Sequence, residues 1–78
     1  MNDQTRTTEQ LPATSRLMRM KEVIRVTGMS RSFIYKRISE GEFPSAVSLS
    51  MKSVAWVEEE VQQWIASKIQ QRDNDAVA

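Results

Sequence analysis

The sequence predicts a mainly α-helical domain with one small β-hairpin, three helices in all, and three observations predict it. Residues 21–41, KEVIRVTGMSRSFIYKRISEG, carry two short helical patterns joined at Gly28, Met29 and Ser30. Beyond Pro44 the apolar residues alternate, Val47 with Leu49 and then Val54 with Trp56, as two half-buried strands require. From Val57 onward they recur at three- and four-residue steps, the period of an amphipathic helix.

The first helix sets Val23, Ile24 and either Val26 or Thr27 on one face and stops at Gly28, the residue that enters the left-handed C-terminal position without steric cost. Met29 is placed to fill the corner. LMRM at 17–20 is short and alternates with Arg19, which fits an extended piece leading into the helix.

Ser30 is the expected N-cap of the second helix, because its hydroxyl accepts a hydrogen bond from an amide of the first turn that has no partner within the helix. That helix is expected from Arg31 to about Glu40, with Gly41 ending it. An advance of about 100° per residue places Ile34 and Ile38 against the first helix and Ser32, Lys36 and Ser39 on the opposite side. Arg31 and Tyr35 flank the outer face on one edge, Phe33 and Arg37 on the other. An exposed phenylalanine there calls for a packing neighbour or a thymine methyl group.

The alternation after Pro44 predicts a hairpin in which Ser48 and Ala55 face outward, with Ser50, Met51 and Lys52 between the strands and Lys52 at the tip. A hairpin directly after a helix-turn-helix is a wing, so the predicted fold is a winged helix-turn-helix, three helices plus the wing. Glu58, Glu59 and Glu60 suit the positive end of the last helix dipole. Val57, Val61, Trp64, Ile65 and Ile69 form its core stripe. The expected organisation is a disordered leader over residues 1–14, one domain over 15–71 and a flexible tail over 72–78.

Composition narrows the function. The chain has 78 residues, no cysteine and no histidine, which removes disulfides, thiolate nucleophiles and the commonest metal ligands. No apolar run reaches the roughly 20 residues of a membrane span, and MNDQTRTTEQ lacks the apolar centre of a signal peptide. A cytoplasmic protein with no cofactor, no metal and no membrane partner is expected. The net charge of +1 hides an asymmetry. Residues 15–57 carry eight basic residues against three acidic ones, a net +5, while 58–78 carry two against five. The helix pair is therefore where a polyanion would bind.

The motifs RLMRMKEV, TGMSRSFIYKRI followed by GEFP, VSLSMKSVAW and EEEVQQWI, in this order from about Arg16 to Ile69, resemble the AlpA family. These are small regulators encoded by phages and prophage-like elements, related to excisionases and to the DNA-binding part of MerR proteins. The resemblance implies that Ser30, Arg31, Ser32, Tyr35, Lys36 and Arg37 are recognition-helix residues and Lys52 the basic residue of the wing. At the wing this chain has Ser50, Lys52 and Ala55 where the family usually has Gly, Arg and Gly.

These readings converge on a monomeric, sequence-specific binder of double-stranded DNA with residues 30–39 in the major groove. Arg31, at the helix start, is expected to meet a base and Lys36 a phosphate. Tyr35 is either a core-rim ring or a phosphate contact, and Trp56 and Trp64 are core. Arg16, Arg19, Lys21 and Arg25 receive no fixed role and are read as solvated surface residues, with a contact to the DNA backbone as the alternative for Lys21 and Arg25. A single module has a footprint of roughly 600–1,000 Å², so several copies on repeated sites or a second DNA-bound protein are expected. The resemblance implies two consequences, both open: activation or repression of a mobile-element promoter, or an excisionase-type bending of attachment-site DNA, with integrase or RNA polymerase as further partners. An enzyme is not expected, since nothing in the sequence builds a catalytic pocket. The rival is a protein-binding adaptor using Phe33, Tyr35 and exposed methionines.

Overall fold

The computed structural model describes residues 16–77. Strand β1 (Leu17–Met18) leads into α1 (Met20–Thr27) and α2 (Arg31–Ser39), followed by β2 (Val47–Ser50), β3 (Ser53–Val57) and α3 (Glu58–Val77). The expected leader, residues 1–14, lies outside the described residues.

Each short helix stops by a different device. The N–H of Gly28 (φ 76°) donates to Ile24 O at 2.8 Å, the single bond of a left-handed cap. Gly41 (φ 72°) closes a two-bond motif: its own N–H reaches Ile38 O at 3.0 Å and the N–H of Glu42 reaches Arg37 O at 2.8 Å. Of the two candidates for the inner face of α1, Thr27 points inward. Its Oγ1 donates to Val23 O at 2.7 Å and accepts the N–H of Met29 at 3.2 Å, so one hydroxyl ties helix to turn. Val26 is exposed. Ser30 caps α2 as expected, its Oγ accepting the Phe33 N–H at 3.1 Å.

The three strands form one antiparallel sheet in the order β1-β3-β2. The extended piece before α1 is thus a strand in its own right, pairing Leu17 with Val57 and Met18 with Trp56. That pairing makes β3 the central strand and alters the expected burial. Ala55, expected to face outward, is fully buried together with its neighbour Trp56. Strand β2, expected to be half-buried, is exposed along its length because it is an edge whose main partner is β3.

Its turn, Met51–Lys52, is tight and contains no glycine. Two-residue hairpins normally use left-handed residues, yet among the described residues only Gly28 and Gly41 have positive φ. A register shift between Ser48 and Ser50 supplies the missing twist and leaves Leu49 unpaired, a bulge in the strand.

The core gathers Met18, Met20, Val23, Ile34, Phe43, Trp56 and Val61, with Ile24, Met29, Ile38, Trp64 and Ile65 packed around it. Val57 ends β3 and so lies outside the helix whose stripe it was expected to begin. At the far end of that stripe Ile69 is 47% exposed. The residues expected to form a tail from Arg72 on are instead the last turns of α3, which runs unbroken to Val77. None of residues 66–76 is buried, so this half of the helix extends past the core.

Both tryptophans grip the loop between α2 and the wing. The Trp56 indole N–H donates to Pro44 O at 3.1 Å and that of Trp64 to Glu42 O at 2.6 Å. Phe43, between Glu42 and Pro44 in sequence, is buried, with its ring edge-on to Trp64 at 4.9 Å. Trp64 itself sits at the rim of the core, because its polar edge must reach that loop carbonyl. The loop fixes where the wing leaves α2.

Candidate nucleic-acid interface

Helix α2 presents Ser32, Lys36 and Ser39 to solvent opposite the buried Ile34 and half-buried Ile38, as its periodicity requires. The Ser39 hydroxyl donates back to Lys36 O at 2.7 Å, so its proton is already used. Ser30 Oγ is engaged in its cap as an acceptor, which does not use its proton, and the residue remains exposed. Arg31, the first helical residue, is exposed.

Beside the start of α2 lies an open cleft of about 440 Å³, formed where the beginnings of α1 and α2 meet the hairpin turn. Arg19, Lys21, Arg31 and Lys52 line it together with Tyr35, and no carboxylate is among the lining residues. The ion pairs present among the described residues are elsewhere: Arg16 with Glu58 at 3.6 Å, Arg37 with Glu40 at 3.4 Å and Arg72 with Asp73 at 2.9 Å. Four cations therefore share one concave edge without counter-charge among its lining residues, which favours a polyanion through summed potential.

Tyr35 sits at the rim of the core. Its ring tilts against the buried Trp56 at 6.3 Å, while the residue stays 44% exposed at the cleft. Lys52 sits at the hairpin turn beside Met51, which is fully exposed. Arg37 is placed differently. Its side chain is only 29% exposed, pairs with Glu40 and lies over the Phe33 ring, 4.8 Å from the centroid.

The cleft adds Arg19, to which the sequence assigned no contact, and Lys21, for which a DNA-backbone contact was only the alternative to a solvated surface position. Arg19 is the residue preceding α1, and its carbonyl accepts the N–H groups of Glu22 and Val23. Lys21 follows in the first turn. The basic excess of residues 15–57 included both, but their meeting with Arg31 and Lys52 depends on how α1 packs.

Two helices joined by a three-residue turn, with a strand pair at their side, make a small winged helix-turn-helix protein. The family described as Prophage CP4-57 regulatory protein (AlpA) matches residues 16–69, and the chain belongs to that family. It is 50% identical over 54 residues to "Uncharacterized protein ORF88" of Enterobacteria phage P4, a match covering 69% of this chain and 61% of the phage protein. It is 34% identical over 59 residues to "DNA-binding transcriptional activator AlpA" of Escherichia coli (strain K12), covering 68% of this chain and 84% of the relative. Among the described residues no helix is long and apolar enough to cross a membrane.

Proposed function

We propose that this chain is a sequence-specific double-stranded-DNA-binding regulator of transcription belonging to a phage or mobile genetic element. Helix α2 enters the major groove, and the β2–β3 hairpin lies against the flanking strand. The observation that carries this reading is the cleft where Arg19, Lys21, Arg31 and Lys52 converge beside the exposed face of α2. The Escherichia coli relative's description as a DNA-binding transcriptional activator supports it.

The roles divide by geometry. Arg31, at the helix start, reaches a base edge, where its planar fork suits the two acceptors of guanine. Lys36 on the outer face and Arg19, Lys21 and Lys52 around the cleft hold phosphates. Tyr35 reaches the backbone with its hydroxyl while its ring stays on Trp56, and Ser30 and Ser32 contribute short polar contacts at the helix start.

The test is fluorescence anisotropy of the full chain with DNA from upstream of its own gene and from neighbouring integrase and attachment regions, against scrambled duplex, at several salt concentrations. One fragment is expected to bind much more tightly, with a slope of log affinity against log salt of roughly −4 to −6 for five or six neutralised phosphates. The winning fragment separates promoter regulation from action at an attachment site. Absence of duplex binding at low salt would overturn the reading and turn the search to a protein partner.

A further inference from the structure

Phe33 takes no part in the contacts assigned above, yet it occupies a privileged position. It is the third residue of α2 and is 42% exposed. By the helical advance it lies about 60° from Lys36 of the outer face. Recognition helices approach base edges with this first turn.

Its surroundings hold it in place. The backbone N–H is tied to Ser30 Oγ, and the Arg37 guanidinium lies over the ring. Arg37 is braced in turn by Glu40, and its Nε is enclosed with no hydrogen-bond partner among the described residues. The arginine is thus committed to the ring, which stays partly open to solvent. An apolar surface restrained before binding loses little conformational freedom on contact.

We propose that Phe33 is a specificity-determining residue that packs on the C5 methyl of a thymine in the major groove, with the Arg37–Glu40 pair as its positioning brace. In that groove the thymine methyl is the distinctive apolar feature of a base pair, and a phenylalanine is a suitable partner for it. The inference rests on the DNA-binding reading and adds to it which base one position prefers.

The experiment selects the preferred duplex from a randomised pool with the full chain, then replaces each thymine in turn by deoxyuridine, which pairs identically but lacks the methyl. At one position the replacement is expected to weaken the wild-type protein about fourfold, the worth of one buried methyl group. Phe33→Ala binds the thymine and uracil duplexes alike, and Phe33→Leu, which keeps apolar bulk, retains about a twofold preference. The leucine variant carries the test should the alanine variant not fold. Arg37→Lys, which keeps the charge but not the planar stack, is expected to lower the preference without abolishing binding.

A duplex that binds with no uracil-sensitive position, or with the same loss in both Phe33 variants, overturns the inference and leaves DNA binding intact. A pool that yields no preferred duplex overturns this inference together with the sequence-specific part of the reading it rests on, whereas loss of all duplex binding at low salt overturns the DNA-binding reading itself.

Discussion

Arg31 and Lys36 are both exposed cations of α2, and their difference lies in position: one opens the helix, the other stands on its outer face. Arg31→Ala is expected to cost about 1–3 kcal/mol on the preferred site and to flatten discrimination at one base position, while Lys36→Ala weakens all duplexes alike. Anisotropy against single-base variants of the site measures both, and equal losses on every sequence for Arg31→Ala would remove its assigned role. Arg19→Gln and Lys21→Gln are expected to behave like Lys36→Ala, each lowering the salt slope by about 1. At this scale the local chemistry was legible. Ser30, Gly28 and the outer residues of α2 follow from rules spanning one turn of helix. The meeting of Arg19 and Lys21 with Arg31 and Lys52 was not, because the cleft they share joins segments that are distant along the chain.

At the scale of elements, the turn between α1 and α2 sets how α2 is presented. An added Cβ at Gly28 would meet nothing within 4 Å, so Gly28→Ala isolates the backbone cost of its left-handed conformation. About 1–2 kcal/mol of stability is expected to be lost, measured by urea unfolding, and a neutral substitution would show that the turn relaxes into another geometry. The two helices and their stops could be read from the sequence because periodicity and caps are local. The strands were read less completely. Alternation located the β2–β3 hairpin but not its burial, since Ala55 is covered in the central strand while β2 is an exposed edge. The bulge that leaves Leu49 unpaired arises because Met51–Lys52 must turn without a left-handed residue.

Across the whole molecule, a domain of this size has little stability to spare, so the joint between α2 and the wing matters beyond its area. Trp64→Phe keeps an aromatic ring against Phe43 but removes the indole N–H from Glu42 O. A loss of about 1 kcal/mol is expected in denaturant titration. The exposed end of α3 contributes less. Truncation after Gln71 is expected to leave the melting temperature within a few degrees, because no residue from Arg72 to Ala76 is buried. A larger fall would mean that the last turns of α3 support the fold.

The sequence by itself determined the three helices, the hairpin, the cap that starts α2 and the charge asymmetry that makes the helix pair cationic. Periodicity, capping and charge are properties of neighbouring residues, and they act before any tertiary contact forms. Only the tertiary structure decided which cations share a cleft, that Arg37 is spent on Phe33 and Glu40, and that Ala55 is buried while Leu49 is not. Those outcomes depend on where β1 docks and how two tryptophans hold the loop from Glu42 to Pro44, contacts between residues far apart in the chain.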